Sequence, residues 1–102
     1  MAFSWNEILK LKEGDLLHID ARHPNNAALN QTAFATFHRV DADKGYVWLK
    51  DVMTKENNRR IIADHISVVM TANIHITYMS EKQAALYVNL RKAMKEILEN
   101  VN

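Results

Sequence analysis

A chain of 102 residues with 48% apolar and 25% charged residues reads as one folded domain and excludes a disordered chain. It has no cysteine, which rules out disulfides, cysteine zinc sites and thiol chemistry together. Net charge is +1: nine Lys/Arg against nine Asp/Glu in residues 1–79, four against three from Ser80 onward. The basic excess of a duplex-binding domain is therefore missing.

The N-terminal stretch Met1 to Leu11 carries Glu7 among its apolar residues, unlike a signal peptide, and no apolar run approaches the ~18–20 residues of a membrane span. The expected location is the cytoplasm, or the host cytoplasm for a viral gene, with no membrane contact. Ser4 and Glu7 have capping-box spacing and predict a short helix from about Trp5 to Leu11, with Ile8 and Leu9 turned inward. Lys12-Glu13-Gly14-Asp15 is the turn that ends it.

From Leu16 to about Tyr78 the apolar residues alternate in short runs, the two-residue period of half-buried strands. Over Leu16 to His23, Leu17, Ile19 and Ala21 share one face, and His18, Asp20 and Arg22 the other. Pro24-Asn25-Asn26 opens a polar loop that runs to Gln31. Thr32 to Val40 predicts the second strand, with Phe34, Thr36, His38 and Val40 opposite Ala33, Ala35, Phe37 and Arg39. Asp41 to Gly45 is a hairpin connection. Tyr46 to Met53 is the third strand, with Val47 and Leu49 on one side and Tyr46, Trp48 and Lys50 on the other. Thr54 to Asn58 reads as a hairpin tip. A fourth strand begins at Arg59 to Ile62, Ala63-Asp64-His65-Ile66 reads as a brief turn, and Ser67 to Thr71 and Asn73 to Tyr78 supply one or two strands more.

From Ser80 the rhythm changes. Tyr87, Leu90, Met94, Ile97 and Val101 fall at three- and four-residue spacings, the stripe of a helix running to about Asn100, and Ser80 with Gln83 is a second capping-box pair. The fold expectation is mostly β (α+β): a short helix, a five- to six-stranded antiparallel barrel or curled sheet over residues 1–79, and a long amphipathic helix over 80–102, all one domain.

A helix leading through Leu11-Lys12-Glu13-Gly14-Asp15 into a strand, a long second loop and two hairpins resembles the SH3-like and Sm-like small barrels. Ile62 to Val69 resembles the short turn between their last two strands. The resemblance spans residues 5–72 in shape; the Sm-like glycine and asparagine signatures and the KOW-type glycine after the first strand are absent. Lys12-Glu13-Gly14 and Tyr46-Val47-Trp48-Leu49 carry a thinner likeness to a phage anti-defence family that sequesters nucleotide signals, and none of that family's residues is carried over.

Three constellations bear on function. Tyr46 and Trp48, two apart on one strand, with Lys50, Arg39, Arg59 and Arg60 nearby, form a candidate partner-binding surface; it would suit bases stacked on the rings with phosphates on the cations and Lys55. His18, His23, His38, Asp64-His65 and His75 lack a metal-ligand frame, so no metal, cofactor or catalytic residue is assigned. The third is the stripe Tyr87, Leu90, Met94, Ile97 and Val101, which either covers the sheet or meets a second copy, with Arg91, Lys92 and Lys95 on the solvent side. The functional expectation is a non-enzymatic interaction module, a homodimer or small oligomer of phage-like or bacterial regulator type, binding a protein partner. Single-stranded nucleic-acid or RNA binding, and sequestration of a small ligand or nucleotide, are the alternatives.

Overall fold

The structure is a computed structural model that describes residues 2–22, 25–26, 30–56, 59–69 and 73–100, with the backbone alone over 55–56 and 59–69. The elements are α1 (Trp5–Ile8), β1 (Leu16–Ala21), β2 (Gln31–Asp41), β3 (Tyr46–Glu56), β4 (Arg59–Val69), β5 (Ile74–Tyr78) and α2 (Glu81–Glu99). All strand pairs are antiparallel, in the order β4-β3-β2-β1-β5. No helix among the described residues is long and apolar enough to cross a membrane.

The α+β class is found, but the five- to six-stranded barrel overstates the sheet, which does not close. β4 and β5 stand at opposite edges, and β5 folds back beside β1 rather than against β4. Its outer edge is met instead by the N-terminal segment, where the Phe3 amide donates to the Ile76 carbonyl at 2.8 Å. Each face is then covered by its own helix, so burial does not require closure.

On one face Leu17, Ile19, Ala35, Phe37, Val47, Leu49, Val52 and Ile76 are buried beneath Ile8 of α1, with Phe3, Trp5 and Leu11 packed at the margin. Leu17 and Ile19, read as sharing a face of β1, and Val47 and Leu49, read as sharing a face of β3, thus line this core, while Ala21 at the end of β1 is half-buried. The other face presents Leu16, Phe34, Thr36 and Met53 to α2.

Two bulges interrupt the alternation. Phe37 pairs with Leu49 and Arg39 with Trp48, so β2 carries one extra residue at His38. A bulge transfers every later side chain to the opposite face. Accordingly Val40, expected beside Phe34 and Thr36, packs on the Leu17–Leu49 core. On β3, Thr36 pairs with Lys50 and Phe34 with Met53, and Asp51 inside the extra step has φ +51°.

Other boundaries shift for local reasons. α1 keeps one turn, not two, because the Lys10 and Leu11 amides reach back only three residues, to the Glu7 and Ile8 carbonyls. Leu9, expected inside, is consequently 48% exposed. The capping box is formed: the Ser4 amide donates to Glu7 Oε1 at 3.0 Å and the Glu7 amide to Ser4 Oγ at 3.3 Å. The first of these bonds, with the hydroxyl's, holds the Glu7 carboxyl below its usual range. Gly14 and Gly45 take φ +99° and +69° in the turns placed there. The expected turn at Ala63-Asp64-His65-Ile66 is not one: β4 runs through it, with Val52 opposite Ala63 and Leu49 opposite Ile66. β3 extends to Glu56, past the expected hairpin start at Thr54; Asn57, Asn58 and Thr71 lie outside the described residues.

Left-handed backbone at a non-glycine residue costs roughly 1–3 kcal/mol, least for Asn and Asp. Asp51→Val is therefore expected to lower unfolding free energy by ~1–3 kcal/mol in urea titrations, whereas Asp51→Asn stays within about 1 kcal/mol of the parent. Equal losses would mean the backbone at this position is not held left-handed.

Candidate functional site

α2 is fixed at its start. The Met79 amide donates to the Leu16 carbonyl at 3.1 Å, and Ser80 and Gln83 close a reciprocal capping box at 2.9 and 3.1 Å. Tyr87, two turns on, is the buried side chain of the helix, at 4% exposure among Met53, Met79, Leu16, Phe34, Ala84 and Leu90.

The Tyr87 phenol ends in a directed chain of hydrogen bonds. Its hydroxyl donates to the Asp51 carbonyl at 2.8 Å and lies 2.8 Å from Thr36 Oγ1. With its one proton given to Asp51, the phenol accepts from Thr36, whose oxygen in turn accepts from Arg91 Nη1 at 3.0 Å. The Arg91 guanidinium also lies over the Tyr87 ring at 5.4 Å and 3.9 Å from Asp51 Oδ2. Arg91, expected on the solvent side with Lys92 and Lys95, is thus half-buried and tied to the sheet. Burial pushes the Tyr87 hydroxyl above its ordinary pKa; the nearby Asp51 charge acts the same way, while Thr36 and Arg91 oppose it.

Beyond Arg91 the helix leaves the sheet. Met94 is half-buried, while Ile97 and Leu98 are 59% and 68% exposed. Nearer the start of the helix Leu86 is 60% exposed. Between Leu86, Leu90, Gln83 and Asn89 of the helix and Thr32, Phe34, Met53 and Thr54 of the sheet lies an open groove of about 750 Å³, with no charged side chain in its wall among the described residues. Beyond Phe34, His18 stacks on that ring at 4.9 Å and 14°, His18 Nε2 lies 3.4 Å from Asp20 Oδ1, and Thr32 donates to the same carboxylate at 2.9 Å. Among the described residues no three His, Asp or Glu side chains converge as metal ligands would.

The Tyr46/Trp48 surface lies at the far end of the same face. Tyr46 and Trp48 are half-buried, and the Arg39 guanidinium sits 5.0 Å over the Trp48 ring. Lys50 Nζ is 3.5 Å from Glu13 Oε1. So a cation covers the ring and a carboxylate holds the lysine, an arrangement the sequence could not show because Glu13 arrives from the turn before β1. The side chains of Lys55, Arg59, Arg60 and His65 lie outside those described.

Of the stripe read from sequence, Tyr87 is buried within the protomer, Leu90 and Met94 are intermediate, Ile97 is exposed, and Val101 lies outside the described residues. Leu86 flanks this stripe in the sequence rather than lying in it, and no sequence signal marks Phe34 and Met53 as a groove floor. The signal for Leu86 was its spacing of four from Leu90; the groove depends on where α2 docks. Comparison with known proteins returns no matching family model, curated relative or solved structure.

Tyr87→Phe leaves the Thr36 hydroxyl and the Asp51 carbonyl without this partner and is expected to cost ~1–3 kcal/mol of unfolding free energy. Because the phenol's pKa is raised in the folded state, the stability it contributes is complete below the ordinary tyrosine value. It is lost as pH rises from there through the raised value. The parent should therefore lose more stability than Tyr87→Phe between pH 9 and pH 11 in chemical denaturation (both keep Tyr46 and Tyr78); parallel curves would contradict the burial effect.

Proposed function

We propose that this chain is a non-enzymatic interaction module that self-associates through α2 and presents the remaining sheet surface to a protein partner. The observation that carries the reading is the exposure of Leu86, Ile97 and Leu98 on a helix whose sheet contact stops near Arg91. Fully burying one such side chain contributes ~1.5–3 kcal/mol, and large apolar residues grouped on one element mark an interaction surface. A groove of about 750 Å³, lined among the described residues by Phe34, Met53, Leu86 and Leu90 with uncharged polar neighbours, adjoins Leu86 and extends the apolar area.

Charge supports a protein over a nucleic acid. Residues 1–79 are balanced, and two of the cations proposed for phosphates, Arg39 and Lys50, are engaged by Trp48 and Glu13. Nucleic-acid affinity rests on cations free to displace counterions.

Sedimentation velocity on the parent and Ile97→Asp tests the reading. The parent is expected to be a dimer or small oligomer, and the variant to dissociate at least tenfold more readily with unchanged far-ultraviolet circular dichroism. A parent that is monomeric across the micromolar range would remove self-association. In a Trp5→Phe background, salt-sensitive quenching of Trp48 by a single-stranded oligonucleotide would reassign the partner to nucleic acid.

A further inference from the structure

We infer that two copies pair by antiparallel packing of α2, each helix laying its distal turns on the groove beside the other's proximal turns. This rests on the self-association proposed above and specifies its geometry.

Tyr87, Arg91 and Ala84 set the side of α2 that faces the sheet. At 100° per residue, the apolar side chains Leu86, Leu90, Ala93 and Ile97 lie roughly a third of a turn round from it. Their spacings of four, three and four make a continuous seam. Lys92, Lys95 and Glu99 occupy the side away from that seam, so none of these charges is buried by pairing there. Leu86 and Leu90 belong both to this seam and to the groove wall.

Parallel pairing would set Ala93 on Ala93 of the second copy, small on small, and leave the centre of the seam unfilled. It would also hold both overhanging ends away from either sheet. Antiparallel pairing matches Leu86 with the second Ile97 and Leu90 with the second Ala93, and by the two-fold axis repeats both contacts. Each small residue then faces a large one, the condition for a filled seam. The same register brings Ile97, 59% exposed past the docked part of the helix, to Leu86 at the mouth of the groove that Phe34 and Met53 also line. Asn89 on the groove rim falls beside the second copy's Glu96, an amide opposite a carboxylate. Burying the groove floors along with the seam enlarges a bare helix pair toward the roughly 1,200 Å² that stable interfaces require.

The absence of native cysteine makes oxidative cross-linking a clean test. Leu86→Cys and Ile97→Cys place thiols at exposed positions. In the antiparallel pair, identical positions lie about 16 Å apart along the axis at 1.5 Å rise per residue. Neither variant alone should cross-link, and an equimolar mixture should give a covalent dimer. Ala93→Glu, at an exposed position, should weaken association at least tenfold without loss of helicity. A dimer that cross-links through each single variant, or fails to cross-link in the mixture, overturns this arrangement but leaves self-association standing. A monomeric parent overturns both.

Discussion

The contact on which the rest depends is the one between the Tyr87 phenol and the irregular step in β3. A regular strand would aim the Asp51 carbonyl along the ladder toward a neighbouring strand. The bulge turns it out to meet the helix instead, and Thr36 and Arg91 complete the chain of donors and acceptors. A phenol buried with its proton donated and its lone pair satisfied fixes rotation about the helix axis more tightly than apolar contact could. Hydrophobic burial has no direction, whereas a hydrogen bond does. The surface that α2 presents follows from that rotation, including which residues the sheet hides and which it leaves outside.

This explains why the long helix is so unevenly used. Its first half is clamped by the Met79 amide, a capping box and Tyr87, while its second half carries apolar residues past the end of the docking site. The other face of the sheet has the opposite character. Leu17, Leu49, Val47, Ile76 and Ile8 are essentially inaccessible there, under a single helical turn and the first few residues. The closed core and the exposed apolar side chains thus lie on different faces, so a change to Leu86 or Ile97 does not reach the central core.

Much of the fold could be read from residue order. The alternation of Leu17 and Ile19, the two capping boxes and the glycine turns at Gly14 and Gly45 are local signals, and each formed as its spacing implied. What failed was non-local. A bulge at His38 leaves no mark in composition, yet it moved Val40 to the other face. The stretch from Ala63 to Ile66 has turn-like residue types but is held straight by pairing with β3. In the helix, two apolar stripes interleave, one through Tyr87 and Met94 and one through Leu86 and Ala93, sharing Leu90 and Ile97. Spacing alone ranks them equally. Only the hydrogen bonds of Tyr87 decide which stripe turns to the sheet and which is left exposed. The groove was illegible for the same reason, since Phe34 and Leu86 are 52 positions apart in the chain.

The two margins of the sheet are finished differently. Beside β5, the Phe3 amide bonds to Ile76, and the Phe3 and Tyr78 rings meet edge to face at 4.8 Å. Beside β4, eleven residues of extended backbone have a neighbour on one side only among the described residues. An added strand, whether a recruited peptide or the first step of aggregation, would find its backbone edge on the hairpin flank among the described strands. A fusion or truncation at the amino end that displaced Phe3 would open a second growing point and convert a one-ended template into a two-ended one.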